Sequence, residues 1–333
     1  MWKLSEEGLP AARGLSPSSP ADGEARVKAA RSAPVVALVL VVLSSLTACG
    51  EGPGAVPTTA GAAPGFPVEV AGTVIPAAPQ RIVSASASHT EILYAIGAGG
   101  RVAATDQFSN FPPEARATPK LDAFNLGVES VVALSPDLVI LSFDPGELRD
   151  GLAAVGIPTL LFDPPLTLED AYRQMRALGA ATGLEAEAEA LVSSVSAEVA
   201  RLTASVPAGR HLTYYYELDP TLYTLTSETF VGGLLGSLGM ESIADEADDA
   251  GTGYPQLSAE YIVAADPDFI FLADTKCCGQ SVAAVAGRPG WAGLQAVAGG
   301  RVVELDDDVA SRWGPRLVEL LAAAAGAVAA GGG

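Results

Sequence analysis

Short apolar runs alternate with helical stretches, once before and once after a long helical segment. This alternation constrains the fold more than any other feature of the chain. Before the segment, Arg81–Ala85, Arg101–Thr105, Leu138–Ser142 and Thr159–Asp163 read as strands. Between them, Ser88–Ile96 and Val128–Ala133 read as helices, the first capped by Ser88 or Thr90. Ser88 and Glu91 have capping-box spacing. After the segment, Leu212–Glu217, Leu222–Leu225, Phe269–Ala273 and Arg301–Leu305 read as strands, and Phe230–Leu238, Ser258–Ala265 and Arg316–Ala330 as helices. Buried strands alternating with helices predict parallel, helix-covered sheets. Residues 168–206 are helical throughout, with breaks expected at Gly179 and Gly183. Leu184, Ala188, Leu191, Val195, Val199 and Leu202 form one apolar stripe on the second part. The fold class is therefore α/β: two lobes with mainly parallel sheets joined by one long helix. A ligand is expected between the lobes, where strand ends face a shared cleft. No internal repeat at a fixed period is evident.

The 333 residues carry 19 Lys and Arg against 39 Asp and Glu, a formal net charge of −20. That balance argues against nucleic acid as a partner. Two histidines and three cysteines are the whole soft-ligand inventory, too few for a zinc cluster. No metal site of the protein's own and no resident cofactor are expected.

The first fifty residues read as an address. Arg26, Lys28 and Arg31 precede the apolar run Ala33–Leu46, which ends in small residues before Cys49. These are the parts of a secretory signal, and the run is short of the roughly 20 residues of a spanning helix. An uncleaved membrane anchor is the alternative. The segment Leu46-Thr47-Ala48-Cys49 resembles the bacterial lipobox, which implies cleavage before Cys49 and a lipid on its sulfur. The polar, mixed residues before the run are long for such a region, and the start codon is expected downstream, near Val27. Removal of residues 1–48 takes five basic and four acidic residues, leaving 14 and 35. The organisation is then a signal peptide over 1–48, lipidated Cys49 and a Gly/Ala/Pro/Thr-rich tether over 49–67, and a first lobe over 68–166. A helical linker over 167–207 and a second lobe over 208–330 follow.

Five blocks carry a resemblance. They are Arg81–Gly99, Phe108-Ser-Asn-Phe-Pro-Pro-Glu-Ala, Val128-Glu-Ser-Val-Val-Ala-Leu-Ser-Pro-Asp-Leu-Val, Tyr254-Pro-Gln-Leu-Ser-Ala-Glu and Asp308-Val-Ala-Ser-Arg-Trp-Gly-Pro-Arg. In order and spacing they resemble the substrate-binding lipoproteins of ABC importers for metal chelates, the vitamin-B12 and ferric-siderophore binders. The resemblance implies that the linking helix is rigid, with little hinge closure. It implies a monomer that captures a small ferric or cobalt chelate and delivers it to the importer's membrane permease subunits. It places Phe108 and Phe111 in the first-lobe wall with Phe124 beside them, and Tyr254, Arg312 and Trp313 in the second. Aromatic faces suit a large, partly apolar chelate, and Arg suits its anionic groups. It also assigns Glu129 and Glu260 to docking on the permease, one acid per lobe.

Three residues fall outside that pattern. His89 is a candidate ligand contact, or an axial ligand in a direct metal-ion or haem binder. Cys277 and Cys278 are left over after lipidation. Outside the cell they are expected to oxidise, either to each other near the cleft mouth or between chains. Adjacent Cα atoms lie about 3.8 Å apart, below the usual disulfide range of about 4.4–6.8 Å, so two reduced thiols are the remaining alternative. No Gly-x-Ser-x-Gly, phosphate loop or His-Glu-x-x-His is present, so no catalytic residue is assigned; a surface hydrolase is the weakest reading.

Overall fold

The computed structural model describes residues 65–207, 209 and 211–331. The leader, Cys49 and most of the tether lie outside the described residues. The first described element is a hairpin of β1 (Val68–Val70) and β2 (Thr73–Ile75). Its Ala71-Gly72 turn has φ of 48° and 73°, the geometry a two-residue hairpin loop needs. A parallel sheet follows, built from β3 (Ile82–Ala85), β4 (Val102–Asp106), β5 (Lys120–Leu121), β6 (Leu138–Leu141) and β7 (Thr159–Leu161), in the order β5-β4-β3-β6-β7. Helices α1 (Ala87–Ala95), α2 (Pro113–Arg116), α3 (Val128–Val132) and α4 (Leu148–Ala154) make the successive crossovers.

Next come α5 (Leu168–Thr182) and α6 (Glu185–Ala204). The second sheet contains β8 (Leu212–Glu217), β9 (Met240–Ser242), β10 (Phe269–Leu272) and β11 (Val302–Glu304) in the order β11-β10-β8-β9, again all parallel. Helix α7 (Phe230–Gly236) and α8 (Ala259–Ala265) are its first two crossovers. α9 (Thr275–Cys278), α10 (Val282–Ala286) and α11 (Gln295–Ala298) lie between β10 and β11. Two helices close the described chain, α12 (Asp307–Ala310) and α13 (Leu317–Ala330).

Both faces of both sheets are covered, which is why their strands are apolar without alternation. Along β3, Ile82 joins one core and Val83 another; along β8, Tyr214 and Tyr216 point one way and Tyr215 the other. The largest core is shared between the lobes. It runs from Ile82, Ile140 and Leu160 through α1, α5 and α6 to Tyr214, Phe269 and α13.

The linker is a pair of helices. A Thr167–Asp170 capping box opens α5. Gly183, at φ 71°, closes it in the left-handed conformation that favours glycine. Gly179 does not break the helix as expected. A Cβ there would lie 2.4 Å from the Cβ of Ala188, so its lack of a side chain lets α6 pack directly against α5. The 20 residues of α6 span about 30 Å.

Other expectations are corrected. Leu222–Leu225 is not a strand; Tyr223 makes only one antiparallel bridge, to Gln256. Helix α1 begins after Ser86 without a side-chain cap, so Ser88 and Thr90 lie inside it, and Glu91 binds Arg312 in place of a cap. Strands β1, β2, β5 and β9 were not anticipated; at two or three residues each they carry no readable period.

The two sheets share one plan, with β4-β3-β6-β7 matching β9-β8-β10-β11. The helix and strand at the heart of each also match in sequence. Residues 128–141 and 259–272 are identical at six of fourteen positions, including Glu129/Glu260, Pro136/Pro267 and Asp137/Asp268. Ser135 and Asp266 both have positive φ, 49° and 43°. Asp137 accepts from the N–H of Gln80 (2.7 Å) and Arg81 (2.8 Å), and Asp268 from that of Thr213 (2.9 Å). Each aspartate thus pins the base of its central strand. The lobes therefore contain a single internal duplication, in place of a periodic repeat.

Gly179→Val is expected to destabilise the protein by about 1–3 kcal/mol through overpacking of α5 on α6. Gly236→Ala, where a Cβ meets nothing within 4 Å, should be neutral or mildly stabilising. Urea denaturation of both variants checks this.

Candidate functional site

The loops after the strands carry the aromatic residues. The loop after β4 bears Phe108 and Phe111, and it is staked from beneath. Asp106 accepts from Ser109 N (2.8 Å) and Ser109 Oγ (2.5 Å), with Thr90 Oγ1 2.9 Å from the same hydroxyl. Lys120 donates to Thr105 Oγ1 and Ala115 O, both at 2.8 Å, and to Ser109 O. Burial pushes the Asp106 carboxyl up, opposed by its bonds to Ser109 and by Arg312 and Lys120.

Held this way, Phe108 and Phe111 stay exposed, as does Phe124. Phe108 and Phe124 meet edge to face at 5.8 Å, and Phe143 adds a third ring at 5.6 Å from Phe124. A pocket of about 440 Å³ opens beside Phe124, lined also by Gln107, Lys120 and Asn125. Phe143, directly after the β6 run, is a site residue that sequence reasoning missed. Phe111 lies under the Arg316 guanidinium, 4.3 Å from the ring centroid. On the second lobe Tyr254 is half exposed, on a loop turned by Asp248, which accepts from Gly253 N (2.6 Å) and Thr252 N (3.1 Å).

Arg312 does not line this surface as a free cation. It is buried, and its donors reach Glu91 Oε1 (2.8 Å), Asn110 Oδ1 (3.0 Å), Phe108 O (2.7 Å) and Asp308 Oδ1 (2.7 Å). Asn110 Nδ2 in turn donates to Asp308 Oδ2 at 2.9 Å. Glu91, Phe108 and Asn110 belong to the first lobe, Asp308 and Arg312 to the segment after the second sheet. Arg312 therefore ties the lobes together. Burial raises the Glu91 carboxyl, with Arg312 and Arg316 opposing that shift. Gly314 allows the close approach: a Cβ there would stand 3.0 Å from Glu91 Oε2 and 3.2 Å from Ser88 O.

Trp313 is half buried behind the same node, its N–H 3.3 Å from Ser88 Oγ and its indole donating to Gln174 Oε1 at 2.9 Å. His89 is fully buried there. Its Nε2 bonds Gln174 Oε1 at 3.0 Å, and its ring packs on Phe162 and Trp313. Because that oxygen only accepts, His89 carries its proton on Nε2. Burial holds its pKa down at about 4, against the Gln174 bond. His89 is thus an interior residue, and a ligand contact or axial bond from it is corrected: no open surface reaches the ring.

Glu129 and Glu260 are exposed, each the second residue of its helix, at matching places in the duplicated unit. Cys277 and Cys278 are bonded to each other on exposed α9. Among the described residues no cluster of three or more His, Cys, Asp or Glu is placed to hold a metal ion.

A family model described as "Periplasmic binding protein" matches residues 82–309. The chain belongs to the periplasmic binding protein family. It is a solute-binding protein of the ABC-importer type, working outside the cytoplasm, and not an enzyme. It is similar to an uncharacterised ABC transporter substrate-binding lipoprotein of Bacillus subtilis (strain 168), 30% identical over 72% of this chain and 77% of that protein. It also resembles a cobalamin-binding protein of Halobacterium salinarum, 28% identical over 88% of this chain and 82% of that one. Among solved structures, the periplasmic heme-binding protein of Roseiflexus sp. RS-1 in apo form superposes with a TM-score of 0.67. That pair is 25% identical, covering 76% and 99% of the two chains. These matches agree with the two-lobed architecture described above.

Two outcomes test the node. Arg312→Met leaves Glu91 buried with only Arg316, at 3.7 Å, as a counter-charge, and should cost about 3 kcal/mol; adding Glu91→Leu should recover part of that loss in a double-mutant cycle. For His89 the folded pKa is depressed, so the unfolded chain binds the extra proton first. Its stabilisation is complete above about 6.5 and is lost as pH falls from there towards 4, by up to about 3 kcal/mol. His89→Gln should remove that slope from stability measured across pH 4–7.

Proposed function

We propose that this protein captures a corrinoid in the inter-lobe cleft and hands it to an ABC importer. The observation that carries this reading is an aromatic surface whose neighbouring Arg312, Arg316 and Lys276 are each paired with carboxylates. Phe108, Phe111, Phe124 and Tyr254 offer flat apolar faces, suited to a rigid macrocycle. Arg312 is bound to Glu91 and Asp308, Arg316 to Glu319, Lys276 to Asp306 and Asp308, and Arg116 to Asn110 O. A ferric catecholate carries several negative charges and haem two propionates, and both call for free cations. A corrinoid with neutral amide arms does not. The cobalamin-binding relative supports the same choice.

Delivery completes the reading. Glu129 and Glu260 occupy equivalent, exposed places on two related lobes, so they present matched acids to a two-fold permease. A lipid on Cys49 would hold the protein at the outer face of the membrane, with the tether giving it reach.

Calorimetric titration of the full chain with cyanocobalamin, a ferric hydroxamate, a ferric catecholate, haemin and free iron tests the ligand. Saturable binding of cyanocobalamin is expected, weakened about tenfold or more by Phe108→Ala or Tyr254→Ala. Haemin binding without corrinoid binding would move the reading to haem. Glu129→Lys with Glu260→Lys should leave the dissociation constant unchanged while abolishing transport by the cognate permease.

A further inference from the structure

The vicinal disulfide is unexplained by anything above. It sits on a short loop, Asp274 to Gln280, that is fastened along its whole length. At the near end Asp274 is fully buried, and Cys278 N and Gln280 N both donate to its carbonyl at 3.3 Å. Its carboxyl lies against Glu217 at the end of β8; burial, and then Glu217, push it up to about 7. At the far end Gln280 Oε1 accepts from Arg288 (2.8 Å), which forks onto Glu217 with two bonds of 2.6 Å and lies over Trp291.

The middle is fastened to α12. The N–H groups of Lys276 (3.0 Å) and Cys277 (2.8 Å) donate to the Asp307 carboxylate, and Thr275 Oγ1 lies 2.9 Å from it. Lys276 Nζ reaches Asp306 (2.6 Å) and Asp308 (2.9 Å). Asp308 is the residue that meets Asn110 and Arg312 in the inter-lobe node. Arg312 in turn donates to Phe108 O at 2.7 Å, which links α12 to the aromatic surface, and the buried Tyr216 hydroxyl donates to Ala310 O of α12 at 3.0 Å. Residues 276–279, the two cysteines among them, are exposed.

We propose that the Cys277–Cys278 disulfide is a redox-controlled part of the ligand-binding wall. Oxidised, it holds α9 fixed and keeps Asp306–Asp308 in place for the Arg312 node that carries Phe108. Reduction by a dithiol breaks the S–S bond, delivers two electrons and two protons to give two thiols, and releases the reductant as its own cyclic disulfide. Freed of the eight-membered ring, residues 277 and 278 gain backbone freedom, α9 loosens on α12, and capture weakens. The ligand half of this inference rests on the corrinoid reading; the coupling of α9 to α12 does not.

The experiment uses the full chain with Cys49→Ala, oxidised, reduced with excess dithiothreitol, and as Cys277→Ser/Cys278→Ser. Amide hydrogen exchange over residues 274–280 and 306–312 should quicken at least severalfold in the reduced and serine forms, with the two sheets unchanged. Cyanocobalamin binding should weaken at least severalfold in both forms, and the serine variant should not respond to reductant. Unchanged exchange on reduction overturns the proposal, whether or not any corrinoid binds. Quickened exchange with an unchanged dissociation constant overturns the role in binding. Quickened exchange with no corrinoid bound in either state overturns the corrinoid reading and supports the α9–α12 coupling.

Discussion

The buried contact between Arg312 and Glu91 is the interaction on which the two-lobed arrangement depends. A guanidinium taken out of water must find partners for its donors. Arg312 finds them on Glu91, Phe108, Asn110 and Asp308. Three of these four partners lie in the other lobe, so the lobes cannot swing apart without stranding a charge on each side. The continuous core through α5, α6 and α13 works in the same direction. Together they hold the lobes in one arrangement, so that a ligand bound between them would lose little free energy to ordering the site.

The internal duplication gives this rigidity its symmetry. Each copy carries a helix, a positive-φ corner, a proline, an aspartate and a buried strand in the same order. The aspartate pins the strand base while the helix start projects an acid. An interface built from two copies of one unit presents nearly the same surface twice, which suits a partner with two-fold symmetry. If the lobes are held rigidly, the spacing between those two acids is held as well.

Much of this was legible in the sequence because period and punctuation carry it. The apolar strands, the stripe on α6, the left-handed stop at Gly183 and the start of α8, where the Ser258 side chain accepts from Tyr261 N, all follow from local rules. The misreadings share one cause, a partner far away along the chain. Glu91 has capping-box spacing from Ser88, yet its partner is 221 residues on. Arg312 is flanked by Ser311 and Trp313, and nothing local marks it as interior. His89 lies in a polar tetrapeptide but is enclosed by Phe162, Gln174 and Trp313. Leu222–Leu225 has the composition of a strand, yet it pairs only with the irregular segment 253–257, through one bridge and a few backbone bonds, and joins neither sheet. The duplication escaped notice because it survives in fourteen residues and occurs once.

These corrections also sharpen the site. A free Arg312 in the cleft would suit a ferric siderophore as well as a corrinoid. Once its charge is spent within the node, the wall that remains is aromatic, and Arg316 is occupied by Glu319 and the Phe111 face. Selectivity then follows from what the cleft cannot satisfy as much as from what it contacts. A carboxylate or catecholate buried there would lose its water and find Arg312, Arg316 and Lys276 already paired with acids, a cost of several kcal/mol for an ion left unpaired. A neutral macrocycle meets no such cost, and the apolar area it buries is retained as affinity.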